Sequence, residues 1–168
     1  MIEYQNWKEC DTYMKKDCQD NPGIYYLSIK NFKNLPSRLH REIKDNKKNL
    51  IYIGKAKSLK KRLKQELNGS GHGTFFRSIG AILNKSPDKI KNNSPNYKFS
   101  GKEKERIIKW IEDNISCKCN PVSNNKLIDE EKFRIKKEKP IFNIKNNPSK
   151  WEYLIEKRNE CLKKARGE

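Results

Sequence analysis

The amino-acid sequence predicts a small α/β (α+β) domain: a three-stranded, mainly antiparallel sheet flanked by helices, with a helical C-terminal arm. Three observations carry this prediction. Short runs rich in β-branched and aromatic residues, at 24–29, 50–53 and 115–122, have the composition of strands. The stretches between and after them repeat their apolar residues at helical spacing. The chain has 168 residues, 33% of them apolar and 36% charged, which suits one hydrophobic core and not two. An N-terminal helical segment is therefore expected over 1–21, the main domain over 22–147 and a C-terminal helix over 148–168.

Each element has its own signal. Residues 4–18 place Tyr4, Trp7, Met14 and Cys18 loosely at helical spacing, and Pro22-Gly23 ends that segment. After the strand at 24–29, the polar stretch 36–46 reads as a short helix or loop. The second strand, 50–53, is closed by Gly54. It lies too far from the first for a tight hairpin but is compatible with antiparallel pairing. Ser58 is placed to cap a helix on which Leu59, Leu63 and Leu67 form one stripe, with Lys57, Lys60, Lys61 and Lys64 opposite. A loop over 68–73 precedes a buried helix marked by Phe75, Ile79, Ile82 and Leu83. Residues 84–98 are polar, contain two prolines and read as an exposed loop. Ser100 and Glu103 have capping-box spacing before Ile107, Ile108 and Ile111. The third strand follows, then a helix over 125–138 that Pro140 stops. Ser149 and Glu152 form a second capping box, and the last helix aligns Trp151, Leu154, Ile155, Arg158 and Leu162 near one face.

Charge narrows the partners. Lys and Arg number 39 against 21 Asp and Glu, a formal net charge of +18. A field of that sign attracts phosphate backbones or anionic membranes, although the abundance of Lys, Asn and Ile together also fits an AT-rich coding sequence. No apolar run approaches the roughly 20 residues that span a bilayer, and MIEYQNWKEC lacks the apolar stretch of a signal peptide. No membrane partner and a cytoplasmic location are therefore expected. Cys10, Cys18, Cys117, Cys119 and Cys161 are irregularly spaced, and the Cys117-x-Cys119 pair is not a zinc-ribbon spacing. They read as reduced structural thiols.

One residue breaks its own pattern. Leu127 and Ile135 share a helical face, and Glu131 sits midway between them on the same stripe. A carboxylate there requires compensation, either by a divalent cation or by a Lys or Arg partner. Spacing alone leaves both open. Glu130 is turned about 100° away and reads as solvated.

Gly23-Ile24-Tyr25 in the first strand and Tyr52-Ile53-Gly54 in the second spell the two triplets that name the GIY-YIG nuclease superfamily. YIGKAKSLKKR, at 52–62, resembles the nuclease module of the bacterial excinuclease C subunit. The family pattern places an arginine ten residues after the second tyrosine, and Arg62 stands there. It also places a glutamate on a later helix, nine residues before a P-x-aromatic-N ending; here these are Glu131 and Pro140-Ile141-Phe142-Asn143. The resemblance thus falls on the residue that helical spacing singles out. It spans roughly 22–147, while HGTFFRSIGAIL at 72–83 and the insert before Lys126 look more like stand-alone bacterial GIY-YIG proteins.

The resemblance implies an endonuclease that hydrolyses DNA phosphodiesters with one divalent metal, Mg²⁺ or in its place Mn²⁺. Glu131 would be the only protein ligand, and Arg62 would stabilise charge on the phosphoryl group. Tyr52 would be the general base or orient the attacking water. Its ordinary pKa of about 10 is high for a base, so Lys55, Arg62 and the metal would have to lower it. Tyr25 would hydrogen-bond to Tyr52, Lys55 would touch the scissile phosphate or tune the tyrosine, and Asn143 would be a structural support. His72, in its glycine-rich loop, reads as a solvent-exposed histidine or, in this scheme, an auxiliary proton donor, and His40 has no catalytic role. Lys57, Lys60, Lys61, Lys64 and Arg77 would contact the backbone of a DNA duplex. Double-strand cutting would need a homodimer or two encounters by a monomer. The alternatives are a nucleic-acid-binding module without catalysis and a basic protein-interaction domain.

Overall fold

The computed structural model describes residues 2–4, 21–33, 35–46, 49–70, 73–90, 94 and 96–168. The strands are β1 (Ile2–Tyr4), β2 (Gly23–Ile29), β3 (Leu50–Ala56) and β4 (Ile115–Pro121). The helices are α1 (Ser37–Asn46), α2 (Leu59–Asn68), α3 (Thr74–Ile82), α4 (Gly101–Asn114), α5 (Leu127–Glu138) and α6 (Glu152–Arg166), with a 3-10 turn at Asn124–Lys126 before α5. The sheet is antiparallel throughout, in the order β1-β4-β2-β3.

The expected three strands make up its body, and the short β1 extends it at the edge of β4. The expectation of helix from residue 4 gives way at its start, because Tyr4 pairs with Cys117 in that strand. The rest of the expected helix, with Cys10 and Cys18, lies outside the described residues. β3 also runs past Gly54 to Ala56, since Gly54 keeps its pairing with Tyr25.

Strand alternation divides the core in two. Tyr25 and Leu27 of β2, paired with Cys119 and Cys117 of β4, join Tyr52 and the apolar faces of α2, α3, α4 and α6 in the larger cluster. Ile24, Tyr26 and Ile53 face the other way and meet Leu127 and Ile135 of α5 in the smaller one. The described cysteines, Cys117, Cys119 and Cys161, are buried.

The capping signals fare differently. Ser58 accepts from the Lys61 amide at 3.2 Å and starts α2 as expected. Ser100 precedes α4, but its hydroxyl donates to Asp88 at 2.7 Å instead of capping, while Glu103 pairs with Arg106. α6 is preceded by Trp151, and the Ser149 amide donates to Asn147, so the second box does not form either. The described part of the 84–98 segment is less exposed than its composition suggests. Its ends are joined by an Asp88 to Lys98 backbone bond, Ile90 donates to Ala165 of α6, and Tyr97 is buried.

β3 is an edge strand, yet its outer side is covered. The Asn143 side chain accepts from the Ile53 amide and donates to the Ile53 carbonyl, both at 2.8 Å. Beside it the Phe142 amide donates to the Ile51 carbonyl at 2.8 Å. The turn after α5 thus stands in for a further strand and satisfies backbone groups that an open edge leaves unpaired.

Candidate active site

A cleft of about 720 Å³ opens at the β3 edge. Tyr52, Gly54 and Lys55 come from β3, Tyr25 from β2, Arg62 from α2, Glu131 from α5 and Asn143 from the turn after it; all line this cleft. Tyr52 and Lys55 are three residues apart on one strand and so belong to opposite faces, and only at a sheet edge can one cavity reach both. α6 forms the far wall with Ile155, Arg158 and Leu162.

Aromatic rings build the floor. Tyr25 and Tyr52 have centroids 6.0 Å apart, Tyr52 and Phe75 5.4 Å, and Phe75 and Phe142 5.9 Å. Gly54 is required here because a Cβ at that position would lie 2.3 Å from the Tyr25 hydroxyl. The glycine of the second triplet therefore makes room for the tyrosine of the first.

Beneath the floor sits a residue that sequence reasoning missed. Glu66 of α2 is fully buried. Its Oε1 accepts from the Tyr25 hydroxyl at 3.1 Å and pairs with Arg62 at 3.1 Å, and its Oε2 accepts from the Phe75 amide at 2.9 Å. The carboxylate thereby caps α3, whose own N-cap, Gly73, has no side chain to do so. A Cβ on Gly73 would fall 2.0 Å from Glu66 Oε2, so the glycine gives the carboxylate access. The missed signal is the one that exposes Glu131: Glu66 stands seven residues after Leu59 and three after Leu63, on the buried stripe.

Arg62 donates to the Tyr25 hydroxyl through Nε at 3.3 Å and remains about a third exposed toward the cleft. Tyr25 donates its own proton to Glu66, and the expected hydrogen bond between Tyr25 and Tyr52 persists beside it. Burial raises the Tyr25 pKa well above its ordinary value, reinforced by Tyr52 and Glu66. Tyr52 is likewise pushed far up, by burial first and then by Glu66; Arg62 and Tyr25 oppose this without prevailing. The expected lowering of the Tyr52 pKa by neighbouring cations is thus reversed in the protein alone. The residue is 93% covered, and desolvation of a phenolate outweighs a single arginine.

Glu131 lies at the edge of the stripe, flanked by buried Leu127 and Ile135. Its Oε2 pairs closely with Lys55 Nζ. Among the described residues no group of three or more His, Cys, Asp or Glu side chains could hold a metal. A metal here would rest on Glu131 alone, whose Oε1 has no described hydrogen-bond partner. That donor set fits Mg²⁺, which keeps several waters and takes one or two carboxylates.

The remaining residues are dispersed. Lys57 and Lys61 are exposed, Lys60 and Lys64 half-buried, all around α2 and outside the cleft. Arg77 is half-buried on α3. His40 is exposed on α1, and His72 lies outside the described residues.

With this geometry in place, the sequence model of the GIY-YIG catalytic domain matches residues 23–166. The chain belongs to the GIY-YIG family, a family of nuclease domains. The match takes in α6, which lines the cleft. No curated protein and no solved structure matches the chain. No helix among the described residues is long and apolar enough to cross a membrane.

Proposed function

We propose that the protein is a divalent-metal-dependent endonuclease that hydrolyses phosphodiester bonds of DNA in the β3-edge cleft. The observation that carries this reading is the convergence of Tyr52, Lys55, Arg62, Glu131 and Asn143, from three secondary-structure elements and a turn, on one cavity. Glu131 would hold a single Mg²⁺ or Mn²⁺ together with solvent and substrate oxygens. Such an ion, when bound, supplies positive charge to the phosphoryl and leaving oxygens.

The chain's own residues divide the remaining work. Arg62, fixed by Glu66 and Tyr25, presents its guanidinium to the equatorial phosphoryl oxygens. Tyr52, with its raised pKa, is a neutral phenol at pH 7. In this reading its oxygen accepts a hydrogen bond from the attacking water and aims it, without becoming a phenolate. Lys55 releases Glu131 and turns to the substrate phosphate. Asn143 holds β3, and hence Tyr52 and Lys55, at a fixed spacing from α5. Lys57, Lys60, Lys61 and Lys64 contact the duplex backbone, consistent with the net charge of +18. A protomer with one such cleft cuts one strand, so a double-strand break takes two protomers or two encounters.

A second reading rests on the Lys55–Glu131 ion pair. A carboxylate already neutralised by a lysine needs no metal, and the domain would then bind nucleic acid without cutting it. One experiment separates the two: incubation with supercoiled plasmid in Mg²⁺, in Mn²⁺ and in EDTA. Nicking that requires the metal, and that Tyr52→Phe slows by about 10²-fold or more, is the expected result. DNA binding in EDTA with no nicking in either metal would leave the second reading standing.

A further inference from the structure

A second hollow, of about 380 Å³, adjoins the cleft. Arg62, Thr74, Arg77, Ser94, Asn96 and Lys98 line it, and Arg62 and Thr74 line the cleft as well. The two cavities therefore share a wall, and that wall carries the arginine assigned to the phosphoryl group. None of the described residues lining the hollow is acidic.

Arg77 is poorly served there. Its Nε is buried and, among the described residues, has no hydrogen-bond partner. Burial lowers its pKa, and the nearby Arg158 adds repulsion. Glu66 is the carboxylate whose charge reaches Arg77, and Arg62 already pairs with it. A half-buried guanidinium with one unsatisfied N–H and no carboxylate of its own is unfavourable. With Lys98 exposed beside it, the Thr74 hydroxyl and the Asn96 side-chain amide, the hollow has donors suited to an oxyanion; the Ser94 hydroxyl already donates to the Asn96 carbonyl.

We infer that this hollow is a second phosphate subsite, which takes the phosphate next along the strand to the one held at Arg62 in the cleft. The inference rests on the nuclease reading for the identity of the first phosphate. It adds a substrate requirement: two consecutive charged phosphates on one strand, with Arg77 and Lys98 reading the second.

The test compares the thymidine trinucleotide TpTpT with the same trimer carrying one neutral methylphosphonate linkage, by titration of the full chain in EDTA. The wild-type protein is expected to bind the doubly charged trimer about tenfold more tightly, the scale of one charge-assisted contact pair. Arg77→Gln/Lys98→Gln should bring that ratio close to one. Arg41→Gln/Lys44→Gln, on α1 and in neither hollow, removes the same charge and should leave the ratio intact. Lys98→Gln alone changes an exposed residue and should lower the ratio without affecting the fold. A wild-type ratio near one, or a ratio that survives in Arg77→Gln/Lys98→Gln, or one that falls equally in the α1 variant, would overturn the subsite. A protein that keeps the Arg77-dependent ratio but never nicks plasmid would refute the nuclease reading and leave the subsite standing. Nicking without an Arg77-dependent ratio would do the reverse.

Discussion

Glu66 and Glu131 occupy the same kind of position and live in opposite circumstances. Each interrupts an apolar stripe on a helix packed against the sheet, α2 on one face and α5 on the other. Glu66 is completely buried, and its oxygens are engaged by a tyrosine, an arginine and a backbone amide. Glu131 keeps 16% of its side-chain surface exposed and shares one oxygen with a lysine that is itself 35% exposed. Lysine is a flexible point charge that can move aside, whereas a helix amide and a packed tyrosine cannot. A carboxylate surrounded by fixed donors is therefore part of the architecture. One neutralised by a single mobile cation at a cavity wall is available to something else.

The strongest way to break this comparison is to neutralise Glu131. Glu131→Gln is expected to lower single-turnover cleavage by about 10³-fold or more, the scale of losing a charge-stabilising group. Its urea unfolding free energy should stay within about 0.5 kcal/mol of wild type, because the Lys55 pair is partly solvated and screened. An unchanged rate would reduce Glu131 to a structural ion pair.

The converse change is Glu66→Ala. It strands the Tyr25 hydroxyl, the Phe75 amide and Arg62, and is expected to destabilise the fold by about 3 kcal/mol in urea unfolding. A loss below about 1 kcal/mol, typical of a surface pair, would mean that Glu66 is no more structural than Glu131.

A smaller effect sharpens the contrast through pH. Burial raises the Glu66 pKa above 4.5, against the pull of Arg62 and the Phe75 amide. The folded state then holds this proton more tightly than the unfolded chain. Glu66 should therefore contribute less stability as pH rises from about 4.5 through the raised folded pKa, and no further change is expected above it. Urea midpoints of wild type and Glu66→Gln, measured in parallel from pH 4 to 8, should differ by a term that moves in this direction. A difference that instead favours wild type with rising pH would show that the donors outweigh burial.

The two carboxylates also show what was legible. Glu131 was visible because few charges interrupt the Leu127–Ile135 stripe and because a local motif, ending in Asn143, follows it. Glu66 stands within a lysine-rich helix and reads as one more solvated charge. Its partners come from 41 residues away, at Tyr25, and from the next helix, at Phe75, so the one local sign of its burial is its place on the Leu59–Leu63 stripe. The three strands were legible because their composition is local. The failed capping box at Ser100 has the same origin as the missed glutamate. The Ser100 hydroxyl found Asp88, twelve residues back, a partner that spacing rules do not see. The fall in Tyr52 acidity was equally hidden, since burial is a property of the assembled fold and not of neighbouring lysines.

The Asn143 side chain carries a consequence for how the cleft could be watched. By bonding to both the amide and the carbonyl of Ile53, it makes one backbone proton at the sheet edge dependent on a turn 90 residues away. Edge-strand protons ordinarily exchange with deuterated solvent through small local fluctuations. That of Ile53 can exchange only when the Pro140–Asn143 turn lifts from β3, which is the same event that would separate Tyr52 from Glu131. Its deuteration rate is therefore a clock for the opening of the cleft, readable without substrate, metal or turnover.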